Sequence, residues 1–318
     1  MPSNDKIEMK KKVIITGGSG TVGRAFIAKY YDEYNFINFS RNEKQIAELA
    51  GSFPGVKSII GDICDRDQLL NLFIKERPDI VIHAAALKHV NLAEENPSKT
   101  LEINMLGSLN VIKASVRAEV PITVGISTDK ACQPENIYGY SKKIMEQIFM
   151  EHFNESTKFV CTRFANVAAS NGSVIPFWLK LAESGQPLKL TDSRMNRLMF
   201  SKDDAATLIR TSIEYAEKAS EPFILSSLMK SVNMLELAES IAREYNISRD
   251  IEIIGLRPGE KLNETLISQK ELENAYISED NKYVVLYSDA FGDRRITKEL
   301  SSLTAEYMNK EEIKNLYK

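Results

Sequence analysis

The sequence predicts an α/β fold, a doubly wound parallel sheet with a smaller C-terminal lobe. Three observations carry that expectation. Short apolar runs rich in Val, Ile and Phe alternate with amphipathic stretches over roughly the first 160 residues, the signature of strand–helix–strand units with helices on both sheet faces. A glycine-rich turn, Gly17-Gly-Ser-Gly20-Thr-Val-Gly23, directly follows the first of these runs. Beyond Arg163 the alternation gives way to shorter pieces separated by turn signals.

Taken in order, the strand-like runs are residues 12–16, 36–40, 56–60, 80–83, 122–127 and 158–163. The amphipathic stretches between them include residues 21–31, 67–73, 103–117 and 137–153. In the later part Asn171-Gly172, Ser184-Gly185 and Pro258-Gly259 mark turns. Helices are expected there at 202–217 and 234–245, the second capped by Asn233. Residues 1–165 and about 196–226 are therefore assigned to a nucleotide-binding domain, and 166–195 with 227–318 to a substrate-binding lobe over the sheet's crevice.

Composition narrows the function classes. With 318 residues, 43% hydrophobic and 27% charged, the chain reads as an ordinary globular protein large enough for a substantial core. A net charge of -3 and a pI near 5.9 give no electrostatic case for nucleic acid or an acidic membrane. The first twelve residues carry no apolar leader, and no run approaches the ~18 apolar residues of a membrane span. A cytoplasmic enzyme free of the membrane is the expectation. Cys64, Cys132 and Cys161 are too scattered for a disulfide framework, and with His83, His89 and His152 they form no ligand spacing, so no metal is expected.

Four predicted strand ends converge on one crevice: the glycine turn, Asp62, Ala84-Ala85-Ala86 and Thr128-Asp129-Lys130. Gly17, Gly20 and Gly23 after a strand and before a helix let the backbone approach a pyrophosphate, whose charge the helix N-terminus stabilises. The residue set expected around a dinucleotide is Thr16, Gly17, Ser19, Gly20, Thr21, Val22, Gly23, Ser40, Arg41, Lys44, Asp62, Ile63, Ala84, Ala85, Ala86, Tyr138 and Lys142. Arg41, with Lys44 nearby, stands where an NAD enzyme usually places an acid; a guanidinium there suits a 2′-phosphate and favours NADP over NAD, the alternative being a solvated arginine in a turn. Asp62 either bonds adenine or simply ends a strand. Tyr138 and Lys142, four apart on a helix, share a face, where the ammonium can stabilise a phenolate near neutral pH. Asp129-Lys130 adds a second acid/base couple, more than alcohol oxidation needs.

The stretch STDKACQPENIYGYSK (127–142) resembles the extended short-chain dehydrogenase/reductases of the polysaccharide-biosynthesis group, and within it most closely the UDP-N-acetylglucosamine 4,6-dehydratases. HAAALKHV (83–90), RFANV (163–167), GSVIP (172–176), TDSRMNR (191–197) and RPGEK (257–261) carry the resemblance over roughly residues 10–270. It implies a Rossmann domain, a tightly bound and recycled NADP, and a UDP-hexosamine substrate. It also implies a homo-oligomer. Tyr138, helped by Thr128 and Lys142, would take the proton of the sugar 4-hydroxyl during C4 oxidation. The resemblance assigns Asp129 and Lys130 to elimination of water across C5 and C6, with Asp129 expected as acid at O6 and Lys130 as base at C5. A basic Lys130 needs a lowered pKa, expected beside Lys142 in a closed crevice. Arg197 and Arg257 match diphosphate-clamping positions, Asn166 a diphosphate- or sugar-contacting one, and Lys88, Ser173, Val174 and Glu260 complete the expected substrate set. Tyr138 stands where retaining, membrane-bound relatives have Met, which points to inversion at C5. The competing readings are a sugar-nucleotide 4-epimerase, which needs no Asp129–Lys130 couple, and a cofactor-sensing regulator on the same fold.

Overall fold

The computed structural model describes residues 10–246, 251–257 and 259–318. The N-terminal residues 1–9 and Pro258 of the expected Pro258-Gly259 turn lie outside the described residues. Six strands follow the predicted runs to within one residue at either end: β1 (Lys12–Thr16), β2 (Asn35–Ser40), β3 (Lys57–Ile60), β4 (Ile80–His83), β5 (Ile122–Thr128) and β6 (Lys158–Phe164). They pair in parallel in the order β3-β2-β1-β4-β5-β6, and Ile224–Ser227 adds a further parallel strand beside β6. The order reverses between β1 and β4, and it is there that the crevice opens beyond the strand ends.

Burial explains why these runs are strands. Every residue of β4 and β5 is buried, so both faces must be apolar or hydrogen-bonded and the alternation of a one-sided strand is absent. In β1, Val13 and Ile15 pack with Phe26 and Ile27 of the helix Thr21–Tyr30. Ile14, pointing the other way, packs with Leu69 and Phe73 of Arg66–Glu76 and Val111 of Gly107–Arg117. A separate core around Trp178, Leu188, Met195, Leu237 and Ile241 forms the lobe. Asn233 caps Met234–Glu244 by accepting from Leu235 N and Glu236 N, as its sequence position predicts.

Three features differ from expectation. The helix Glu43–Ser52 is absent from the predicted set because only Leu49 of its ten residues is buried, leaving almost no apolar stripe to read. The helix expected at 103–117 begins earlier, as Pro97–Leu101, and widens into a π turn over Glu102–Leu106 before Gly107–Arg117. The lobe boundary also moves. Ala275–Ile277, Tyr283–Leu286 and Arg294–Arg295 are antiparallel extensions of the main sheet, and Val284, Val285 and Leu286 belong to its core rather than to the lobe. No helix among the described residues is long and apolar enough to cross a membrane.

Candidate active site

The turn after β1 is shaped for close approach of a ligand. Gly17 has φ +74°, and a Cβ on it would lie 2.9 Å from Ala85 Cα in the neighbouring strand exit. A Cβ on Gly23 would lie 2.5 Å from Gly18 Cα, so the helix Thr21–Tyr30 packs directly on the turn. The glycines thus keep open a crevice of about 680 Å³ with a helix N-terminus at its floor. Glycines, an exposed helix end and an extended groove fit a dinucleotide pyrophosphate.

Of the expected cofactor set, Gly17, Ser19, Gly20, Thr21, Val22 and Gly23 line this crevice. So do Ser40, Arg41, Ile63 and Ala84 to Ala86, together with Tyr138 and Lys142. Thr16 is buried behind the wall, where its Oγ1 bonds His83 Nδ1 at 2.7 Å. Asp62 is also outside the lining; it accepts from Arg41 Nη1 at 3.0 Å and from Cys64 N at 2.9 Å. It therefore both ends its strand and steadies Arg41. Lys44 is exposed on its helix and away from the crevice, whose wall there is Asn42 and Gln45.

The catalytic candidates come together from two elements. Thr128 ends β5, Asp129 and Lys130 form the following turn, and Tyr138 and Lys142 sit on Ile137–Glu151, capped by Asn136. Thr128, Lys130, Tyr138 and Lys142 line the crevice. Burial pushes the Tyr138 phenol up to about 12, against the Lys130 charge, which lowers it. Lys142 donates to Ile126 O at 2.7 Å, and burial brings its ammonium down to about 8. Tyr138 and Lys142 both line the crevice, and Lys130 adds a further cation that acts on Tyr138.

Lys130 also departs from expectation. Burial disfavours its charge, but the Asp129 and Glu264 carboxylates outweigh burial and raise its pKa above the usual lysine value. Its Nζ lies 3.1 Å from Asp129 Oδ1 and 3.6 Å from Glu264 Oε1. A lowered pKa is not found, because the two anions beside Lys130 outweigh its burial. Asp129 is buried behind Lys130: Oδ1 accepts from Thr128 Oγ1 at 2.9 Å, while Oδ2 has no hydrogen-bond partner among the described residues.

The substrate set is divided. Asn166 lines the crevice and donates to Leu198 O at 3.1 Å. Lys88 lines it too, but its Nζ donates to Asn171 O at 2.9 Å, and burial lowers its pKa. Asn171 N donates in turn to Thr21 Oγ1, so the 170–172 loop bridges the two crevice walls. Ser173 and Val174 form the start of Val174–Glu183. Arg197 differs from the free clamp expected of it: it is buried and donates to Asn196 O, Leu262 O and Lys261 O, shaping the main chain before Glu264. Arg257 is exposed, with its backbone N–H bonded to Glu260 Oε2. Neither Arg257 nor Glu260 lines the crevice.

With this geometry in place, comparison with known proteins places the chain. Residues 13–286 match the family described as polysaccharide biosynthesis protein. The chain belongs to that family. It is similar to a Campylobacter jejuni UDP-N-acetylglucosamine 4,6-dehydratase (inverting), 36% identical over 295 residues that span 90% of this chain and 85% of the relative. A UDP-glucose 4-epimerase of Rickettsia bellii is 32% identical over 277 residues, 83% of this chain and 80% of the epimerase. Among solved structures, Pen from Bacillus thuringiensis superposes with a TM-score of 0.89 at 29% identity, covering 98% of this chain and 97% of that one.

In this member of the polysaccharide biosynthesis family, three buried groups near the site carry no sequence signal of their role. Asn104, in the π turn, holds Leu87 through both its N–H and C=O, and donates to Ser141 Oγ beside Lys142. Arg163 spends all five N–H donors on Glu146, Glu271 and Leu266 O. Ser127 and Cys132, flanking the Asp129–Ala131 turn, donate to those same two carboxylates. Glu264 lies three residues beyond the RPGEK stretch, and an acid there points to no particular partner without the fold.

Proposed function

We propose that this chain is a UDP-N-acetylglucosamine 4,6-dehydratase that forms a UDP-4-keto-6-deoxy-N-acetylhexosamine, with inversion at C5 and NADP as the recycled cofactor. The observation that carries the reading is the Asp129–Lys130 couple standing beside Tyr138, with Lys130 on the crevice wall. C4 epimerisation needs no second acid/base couple; elimination of water does. The 36% identity to an inverting dehydratase supports the same reading. NADP is supported by Arg41, which lines the crevice and is steadied by Asp62.

The glycine turn, Arg41, Tyr138 and Lys142 would hold the dinucleotide, which would supply a hydride acceptor for C4 and a hydride donor for C6. Tyr138 takes the O4 proton as the C4 ketone forms, and the ketone acidifies the C5 hydrogen. Elimination then removes one proton from C5 and delivers one to O6, so the acid/base couple ends with the proton count it began with. Lys130 meets the substrate, whereas the buried Asp129 acts through it, exchanging a proton across the 3.1 Å contact. This replaces the expected division of Asp129 at O6 and Lys130 at C5.

A cytoplasmic location belongs to the same proposal, because UDP-sugars and NADP are cytoplasmic pools. Self-association is supported by exposed Leu101, Leu106, Tyr140 and Ile144 on adjacent helices. The deciding experiment incubates the purified protein with UDP-N-acetylglucosamine and reads product mass. Loss of water supports the reading. A C4 epimer of unchanged mass would replace it with the epimerase, which the Rickettsia relative favours, and no turnover would leave a regulator.

A further inference from the structure

Glu264 is carried by the segment after residue 260, far in sequence from the catalytic turn, yet its carboxylate is directed at Lys130. The segment is firmly held: Glu264 N donates to Ser302 Oγ at 3.1 Å, Ser302 N donates to Glu264 O at 2.9 Å, and Ser231 Oγ donates to Ser302 O at 2.7 Å. Arg197 grips the two carbonyls just upstream, those of Lys261 and Leu262. Glu264 itself is 6% exposed, and the 3.6 Å approach to Lys130 Nζ is its only ion pair among the described residues. A buried carboxylate with so little hydrogen bonding is costly, and a fold keeps it there only for a partner that needs the charge.

We propose that Glu264 is a positioning residue for the elimination step, holding the Lys130 ammonium at the crevice wall together with Asp129, so that the acid/base couple is completed by the C-terminal segment. The charged groups that face Glu264 are Lys130 and Asp129 from the catalytic turn, Arg197 from the strand Asn196–Phe200, and Lys261. Burial raises the Glu264 carboxyl above its ordinary value, with the Lys130 charge as the main opposing influence. Two carboxylates on one ammonium hold Lys130 in its charged form between them. They also keep the ammonium from turning wholly toward Asp129, which would withdraw it from the crevice.

The proposal rests on the dehydratase reading for its kinetic test and on geometry alone for its spectroscopic one. In Glu264→Gln, C4 oxidation should persist, because Thr128, Tyr138 and Lys142 are untouched. Elimination should slow, by less than the roughly 10²–10⁴-fold that a whole acid/base group contributes. Reduced nicotinamide should then accumulate, kcat should fall at near-constant KM, and the alkaline limb of the kcat–pH profile should move to lower pH as Lys130 loses an anion. Glu264→Asp should recover part of the rate. A merely structural role would slow oxidation and elimination alike and leave the pH profile in place. Independently of any substrate, the ¹³Cε resonance of Lys130, assigned by its loss in Lys130→Met, should titrate at lower pH in Glu264→Gln than in the parent protein. An unchanged Lys130 titration, or equal loss in both half-reactions, would overturn the proposal. If the parent protein fails to dehydrate UDP-N-acetylglucosamine, the function falls, while the Lys130 titration still decides the contact.

Discussion

Replacing Arg163 with Met removes the guanidinium on which the segments around the site converge. Arg163 is fully buried; it pairs bidentately with Glu146 on the Tyr138 helix and with Glu271 after the C-terminal strand Thr265–Ile267. Deleting one partner of a buried ion pair costs about 3–5 kcal/mol, because the carboxylates stay buried without compensation. The structure gives a second route to that size. Burial would raise Glu271, yet Arg163 holds it at about 2, well under an ordinary 4.5, and that difference corresponds to roughly 3 kcal/mol. Lys143 Nζ, 3.7 Å from each carboxylate, offsets part of the loss, so the lower end of the range is expected. The sign with pH follows from the lowered carboxyl: its contribution is complete above pH 4.5 and fades as pH falls toward 2. In Arg163→Met the bare Glu271 carboxylate takes up a proton more readily than in the parent, so the stability gap should shrink between pH 7 and pH 5. Urea unfolding followed by circular dichroism at both pH values measures it. Replacing Arg163, Glu146 and Glu271 together by apolar residues should recover most of the loss. A gap under about 1 kcal/mol at pH 7, or one that does not change with pH, would refute the reasoning.

Tyr138→Phe should bind UDP-N-acetylglucosamine and leave it unoxidised, with turnover reduced by roughly 10²–10⁴; single-turnover absorbance of reduced nicotinamide checks it, and near-normal rates would remove Tyr138 from its role. Arg41→Ala should weaken NADP by roughly ten- to a hundredfold while sparing NAD, measured by calorimetric titration; equal loss for both would return Arg41 to a solvated turn. Turnover in deuterated water should place one solvent deuterium at C5 and the original C4 hydrogen at C6, read by proton NMR of the product. Solvent deuterium at C6 in the first turnover would contradict internal hydride return.

The sheet was legible because its information is local. Runs such as 80–83 and 122–127 are rich in Ile and Val and buried throughout, and the alternation with helices fixes their parallel pairing. The glycine turn and the Tyr138–Lys142 spacing were legible for the same reason. What escaped depends on long-range pairing. The short strands Ala275–Ile277 and Tyr283–Leu286 join the sheet antiparallel to Ile224–Ser227 through a chain reversal that leaves no periodicity to read. The shared face of Tyr138 and Lys142 was legible from their spacing, but the bond from Lys142 to the carbonyl of Ile126 was not, because it depends on how the helix meets β5. The lowered pKa expected for Lys130 failed because one of the two anions beside it, Glu264, arrives from a distant segment.

The same division separates the two halves of the proposed chemistry. Thr128, Tyr138 and Lys142, the groups for C4 oxidation, all lie on elements of the parallel sheet and its helices. The groups for elimination do not. Lys130 depends on Glu264, and the turn that carries it is backed by Cys132 bonded to Glu271; both glutamates lie on the segment after residue 260. On this reading, that segment docks two carboxylates behind the turn. One carboxylate sets the charge on Lys130, and the other ties the turn to the Arg163 network. Disturbing the segment should therefore uncouple elimination from oxidation, whereas disturbing the sheet should abolish both.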